Sequence, residues 1–296
     1  MKIGITGAGG LIGRHVAALA RERGHEVIGF TRNPEGRGPG WRKFSTGEPP
    51  DVKGCEAIVN LAGESVVGLW TAAKRMEIRE SRVLATRRIV EAMQAAAVPP
   101  RVLVNGSAIG YYGDTGDGAA DEGSPRGGGF LADVCEAWEA EALKAREAGA
   151  RVVLLRTGVV LSTEGGALAA MLPAFRFALG GRLGNGRQWL AWIHIADEAA
   201  LALEAIENEA MQGSVNATAP NPVTNADFTK TLAAALHRPS LFGVPAFALR
   251  AVLDGFASEL LESRRILPSA AVAAGFRFQY PTLPDAVGQL LQPSRH

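Results

Sequence analysis

A short apolar strand that runs straight into three glycines spaced three apart, and then into a helix, leaves a chain few ways to fold. Ile3 to Thr6 read as that strand, Gly7-Ala-Gly-Gly10-Leu11-Ile12-Gly13 as the turn, and Arg14 to Arg23 as the helix. Gly7 lets the backbone leave the strand sharply, Gly10 presents no Cβ to a pyrophosphate, and Gly13 lets the helix pack closely on a sheet. Amide groups at the helix start then face the ligand with the positive end of the helix dipole. A glycine triplet alone can be only a tight turn. Here a second strand at Glu26 to Thr31 completes a βαβ unit, the context that marks a dinucleotide site.

The alternation continues and predicts a parallel sheet covered on both faces, an α/β fold of the doubly wound Rossmann type. Ala57 to Ala62 is a continuous apolar run suited to a buried parallel strand. A helix over Thr71 to Ala97 stops before Pro99-Pro100, which cannot extend it. Arg101 to Asn105 reads as a strand, Leu131 to Glu147 as a helix, and Arg151 to Arg156 as a further strand. The glycine-rich stretches 36–40 and 113–129 read as loops. From Gly158 the pattern turns mainly helical, with helices expected over Gly165 to Leu179, Asp197 to Glu207, Asn225 to Leu236, Pro245 to Phe256 and Pro284 to Leu291. The expected organisation is a nucleotide-binding domain over 1–157, to which residues 190–218 return, and a smaller substrate-side domain over 158–296.

The 31 basic and 30 acidic residues of this 296-residue chain argue against non-specific nucleic-acid binding and against attachment to a membrane surface. No run of about 18 apolar residues is present, and the amino end shows no signal-peptide pattern. Cys55 and Cys135 form no CxxC motif, which leads to an expected cytoplasmic location. The five histidines, His15, His25, His194, His237 and His296, lack zinc-ligand spacing, so no metal is expected.

Rossmann sites that take NAD carry an acidic residue about 20 positions beyond the glycine turn, where it bonds the ribose 2′-hydroxyl. No Asp or Glu lies between Val27 and Pro34; Thr31 and Arg32 stand there instead. A guanidinium matches a 2′-phosphate in geometry and charge, which favours NADP(H) over NAD(H) unless Arg32 is a solvated loop residue. Arg37 could join the same patch.

These residues resemble the extended short-chain dehydrogenase/reductases, relatives of nucleotide-sugar epimerases, over nearly the whole chain. The glycine turn matches that family's cofactor turn. Asn60-Leu-Ala-Gly63 resembles its stretch beside the nicotinamide ribose, which implicates Gly63. Gly106 to Gly113 resembles the serine-bearing strand end closed by Tyr-Gly, and Trp192 to Asp197 a later Phe-Ile-His-Val-x-Asp segment. Ordinary members use a Tyr-x-x-x-Lys pair as acid and base. Here the expected positions hold Leu131 and Cys135, and Tyr111, Tyr112 and Tyr280 are followed four residues on by Thr115, Gly116 and Pro284. That departure, with Ser258 to Pro268 and Ala274 to Pro281, resembles an atypical epimerase-like subgroup lacking the usual catalytic set. The likeness implies cofactor contacts at Thr31, Arg32, Leu61, Ala62, Glu77, Arg82 and Val159; Glu77 and Arg82 could equally be ordinary helix charges.

Among the residues that remain, Ser107 is the first catalytic candidate, because a serine at the end of a parallel strand faces the ligand crevice. It could also be a turn former. Tyr112 could donate a proton or pack in the core, and the same holds for Tyr111. Glu64 is a candidate at the ribose or substrate, and the resemblance would put Trp192 and His194 at a substrate pocket. Two functions follow: an NADP(H)-dependent oxidoreductase or epimerase-like enzyme acting on a small polar or nucleotide-linked substrate, or a sensor that holds NADPH without turning it over. Oligomeric state stays open, with a two-fold homodimer as one arrangement.

Overall fold

The computed structural model describes residues 1–38, 40–241 and 243–292; Pro39, within the expected 36–40 loop, and His296 lie outside the described residues. Seven parallel strands form the central sheet: β1 (Lys2–Thr6), β2 (Glu26–Thr31), β3 (Trp41–Lys43), β4 (Ala57–Asn60), β5 (Val102–Ala108), β6 (Arg151–Thr157) and β7 (Gly213–Ala217). Their spatial order is β7-β6-β5-β4-β1-β2-β3. The order reverses between β1 and β4, and a doubly wound sheet opens its ligand crevice at such a reversal, beyond the carboxyl ends of the strands.

Alternate residues of each strand serve opposite faces. Ile3, Ile5, Val59, Val104 and Leu155 enter one core, shared with α1 (Leu11–Glu22) and α5 (Ile195–Glu207). Phe30, Ile58, Leu103, Val152 and Leu154 enter the other, under α2 (Ala72–Ala95) and α3 (Phe130–Leu143). Two buried faces explain why these strands read as unbroken apolar runs.

Several boundaries differ from the sequence expectations for visible reasons. Thr71 caps α2, its hydroxyl accepting the Lys74 amide at 3.2 Å, and so stands outside the helix. The turn after α3 tightens to a 3₁₀ helix over Lys144–Ala148 and stops at Gly149 (φ +77°). The single helix expected over Pro245 to Phe256 is split at Asp254, whose φ of +45° separates Ala246–Leu253 from Gly255–Leu261. Strand β3, within a stretch without apolar periodicity, was not anticipated.

Beyond β6, Val159–Leu161 pairs in parallel with Trp192–His194 as a separate two-stranded ribbon. A third core gathers α4 (Gly166–Arg176), α6 (Asn225–Ala235) and the helix Leu283–Leu291 around Trp192 and Phe228. The carboxyl-terminal segment also turns back: Phe276 and Phe278 pack on the α1/α5 core of the central sheet. Among the described residues no helix is long and apolar enough to cross a membrane.

Candidate functional site

The glycine turn is built as closely as the spacing requires. The Gly10 amide donates to the Gly7 carbonyl at 2.8 Å, and Gly7 has φ +66°. A Cβ on Gly7 would come within 2.8 Å of the Leu61 carbonyl oxygen, and one on Gly13 would collide with the Gly7 carbonyl. Helix α1 starts at Leu11 with no side-chain cap from Gly10 and no acidic residue in its first turn. Its first amides therefore meet no anion of their own chain, which is the chemistry a diphosphate needs. Leu11, Ile12 and Leu61 offer only backbone to the turn: Ile12 and Leu61 pack on the core, and the Leu11 side chain lies against Gly165 and Gly166.

A cleft of about 530 Å³ runs from Gly7 and Gly10 over the ends of β2 and β4. Thr31 and Arg32 line one end together with Arg37, and Ala62, Gly63 and Glu77 line the other wall. Arg37 lies over the Trp41 ring, 4.9 Å from its centroid. Ser45 and Thr46 also line this end and were missed; they follow the short β3 edge strand, where no periodicity or motif marks them.

The wall at Ala62 is fixed from below by a buried polar chain. The Thr6 hydroxyl accepts the Leu61 and Ala62 amides at 3.0 and 3.1 Å and donates to Asn60 Oδ1 at 2.6 Å. Asn60 Nδ2 donates to Asn105 Oδ1 at 2.7 Å and to Thr86 Oγ1 at 2.8 Å. This explains the polar residue in an otherwise apolar run: Asn60 couples β1, β4, β5 and α2. Arg82 sits behind Gly63, 5.3 Å from the Trp138 ring centroid, and donates to the Ile78 carbonyl at 3.0 Å. Burial pulls its pKa below the usual guanidinium range.

Glu64, considered above for the ribose or substrate, lies on the rim of this same cleft and pairs with Lys74 at 2.8 Å. The Lys74 hydrogen bond holds its carboxyl below the usual range. Lys74 also reaches Glu77 at 3.2 Å.

The two catalytic candidates are placed differently from expectation. Ser107 is 5% exposed, and its hydroxyl donates to Glu139 Oε1 at 2.6 Å instead of facing the crevice. Glu139 receives Arg156 through Nε and Nη2, both at 2.8 Å. Arg156 Nη1 donates to the Tyr112 hydroxyl at 2.9 Å, which in turn donates to Asn216 Oδ1 at 2.7 Å. Tyr111 covers the guanidinium, 3.5 Å from ring centroid to Cζ. Ser107 and Arg156 are register partners on β5 and β6, so both side chains fall on the α3 face. Burial pushes the Tyr112 phenol up to about 12, against the opposing pull of Arg156, so it remains protonated in neutral solution. Sequence reasoning missed Glu139 and Arg156; a charged residue ending the run Val-Val-Leu-Leu was the available sign.

Leu131 and Cys135 behave as their chemistry demands. Leu131 packs against Gly110, and the buried Cys135 thiol donates to the Ala108 carbonyl at 3.6 Å. Burial raises that thiol to about 11.

Trp192 and His194 are not pocket residues. Trp192 is fully buried and donates to the Asn221 carbonyl at 3.1 Å. His194 caps α5, its Nδ1 accepting the Ala196 amide at 3.0 Å, while Nε2 meets Gln289 Oε1 at 2.9 Å and the ring stacks on Tyr280. Burial lowers its pKa. Val159 lines a second, smaller chamber beside Ile109 and α4. Among the described residues no three His, Cys, Asp or Glu side chains converge as a metal would require.

Comparison with known proteins agrees with this geometry. Residues 3–217 match the NAD dependent epimerase/dehydratase family, and residues 244–290 match a domain of unknown function, DUF1731. The chain is 40% identical over 303 aligned positions to the Epimerase family protein SDR39U1 homolog, chloroplastic, of Arabidopsis thaliana, covering 99% of this chain and 87% of that protein. It superposes on the crystal structure of human epimerase family protein SDR39U1 (isoform 2) with NADPH at a TM-score of 0.91 and 33% identity, over 98% and 99% of the two chains. It also superposes on a nucleoside-diphosphate sugar epimerase from Corynebacterium glutamicum at a TM-score of 0.80 and 34% identity, covering 98% of this chain and 58% of that one. With a matching family domain over most of its length and relatives at about 40% identity along nearly the whole chain, the protein belongs to the NAD dependent epimerase/dehydratase family, among its SDR39U1-type members.

Proposed function

We propose that this protein binds NADP(H) in the 530 Å³ cleft and acts as an oxidoreductase or epimerase-like enzyme on a small molecule held on the substrate side. The observation that carries the reading is an uncapped helix start that shares one cleft with Arg32 and Arg37. The first suits a diphosphate, and the second suits the extra phosphate that separates NADP from NAD. The NADPH-bound human relative supports the same preference. NADPH bound here would supply a hydride. The chain's own part is to seat the diphosphate on the α1 amides, hold the 2′-phosphate with Arg32 and Arg37, and fix the Ala62–Gly63 wall through Thr6 and Asn60. Two free, buried cysteines support placement in a reducing compartment such as the cytoplasm.

A second reading, an NADPH-holding sensor without turnover, is favoured by one observation. The hydroxyl protons of Ser107 and Tyr112 are committed to Glu139 and Asn216, and Leu131 and Cys135 replace the usual pair. NADPH oxidation across a panel of carbonyl compounds and sugar nucleotides separates the two, since turnover establishes the enzyme and its absence with tight binding establishes the sensor. Nucleotide choice is tested with Arg32→Glu. The variant should lose about 1.5–3 kcal/mol of NADPH binding and little of NADH binding; equal losses would show that Arg32 does not read the phosphate.

A further inference from the structure

Between the carboxyl end of the sheet and the last third of the chain lies a chamber of about 120 Å³. Ile109, just past β5, and Val159, just past β6, form its inner end. Met171 of α4, Leu190 and Phe228 of α6 line its sides, so the walls are largely hydrocarbon. Ile109 and Val159 put the chamber past the carboxyl ends of their strands, the side of a doubly wound sheet on which ligands bind.

Part of the polar lining is tied up within the chain. Gln188 Nε2 donates to the carbonyls of Leu183 and Leu260 at 3.1 and 3.2 Å. Asn225 Oδ1 accepts the Leu183 amide at 2.8 Å. Among the described residues Arg264 is the only cation in the lining, and it is clamped between two carboxylates. Its Nη2 meets Glu259 Oε2 at 2.8 Å and also Glu262, while its Nε donates to the Gly113 carbonyl at 3.2 Å. One guanidinium against two carboxylates gives the chamber no net positive charge to offer an anion. Size points the same way: an apolar cavity of roughly 150 Å³ holds a benzene ring, whereas a sugar nucleotide is several times larger and carries two negative phosphates.

We propose that this chamber is the substrate subsite and accepts a compact, uncharged, mainly apolar molecule, not a sugar linked to a nucleotide. This departs from the polar or nucleotide-linked substrate expected from the sequence. It rests on the cofactor reading above only for calling the occupant a substrate; occupancy of the chamber is separately measurable.

The test uses cyclohexanone and UDP-glucose as probes, with the intact protein with and without saturating NADPH, read by ligand-observed NMR and competition. Ala167→Phe, at an exposed position on the chamber wall in the first turn of α4, places a ring in the chamber. NADPH affinity measured in parallel by calorimetry reports whether that variant is folded. The expected result is saturable cyclohexanone binding that weakens at least tenfold in Ala167→Phe while NADPH affinity is kept, and no UDP-glucose binding to the NADPH-saturated protein. UDP-glucose binding under saturation, no cyclohexanone binding, or cyclohexanone binding indifferent to Ala167→Phe would overturn the proposal. Failure of NADPH to bind would instead overturn the cofactor reading, and the nucleotide-free arm would still decide the chamber's occupant.

Discussion

Glu198 offers a measurement with a worked magnitude. It lies in the first turns of α5 and is fully buried against the end of β6. The Thr157 hydroxyl donates to its Oε1 at 2.8 Å, and its Oε2 has no partner. Burial without a compensating cation raises the carboxyl from 4.5 to about 8. The unfolded chain therefore releases this proton near pH 4.5 while the folded chain keeps it, so the unfolded state binds fewer protons across the interval. Stability from this group is complete below pH 4.5 and is lost as pH rises towards 8, at about 1.4 kcal/mol per pH unit. Glu198→Gln preserves the shape of the protonated acid and removes the titration. Urea unfolding of both proteins from pH 5 to pH 8 should show the variant gaining about 3–4 kcal/mol on the wild type across that range. Parallel curves for the two proteins would refute the reasoning and mean that Glu198 ionises without penalty in the folded state.

Three further outcomes follow from particular contacts. Gly13→Ala drives a methyl into the Gly7 carbonyl, so the turn must shift and NADPH affinity should fall by at least tenfold in calorimetry; unchanged affinity would remove the turn from the site. Glu139→Ala strands the buried Arg156 guanidinium and should cost about 3–5 kcal/mol of stability in urea unfolding. A loss below about 1 kcal/mol would show that the Ser107–Glu139–Arg156–Tyr112 network does not hold β5, β6 and α3 together. Cys135 should resist iodoacetamide at pH 8 in the native protein, because its thiol is buried and raised to about 11. Rapid labelling seen by mass spectrometry would contradict that placement.

The amino-terminal βαβ half was legible in the sequence because its signals are local. The spacing from Gly7 to Gly13, the missing acid after β2 and the unbroken apolar strands each follow from short-range geometry; Gly7, Gly10, Thr31, Arg32, Ala62, Gly63 and Glu77 share one cleft, whereas Leu11, Ile12, Gly13, Leu61, Arg82 and Val159 are not in its lining. The substrate side was less legible because side-chain direction there depends on long-range pairing. Whether Ser107 faces the crevice or α3 is set by its register with Arg156 and by the carboxylate of Glu139, 32 residues away. The position of Trp192 and His194 in a motif suggested a pocket, yet the ribbon formed with Val159–Leu161 turns both into the third core and the α5 cap. Arg37, Ser45 and Thr46 come to the cleft only through the edge pairing of β3 on β2.

Titration calorimetry of the purified protein with NADPH probes the central claim most directly. Saturable binding near one nucleotide per chain, with NADH clearly weaker, is the predicted result. No heat from NADPH, NADP, NADH or NAD would contradict the account, because neither the uncapped start of α1 nor the Arg32 end of the cleft would then be reading a phosphate.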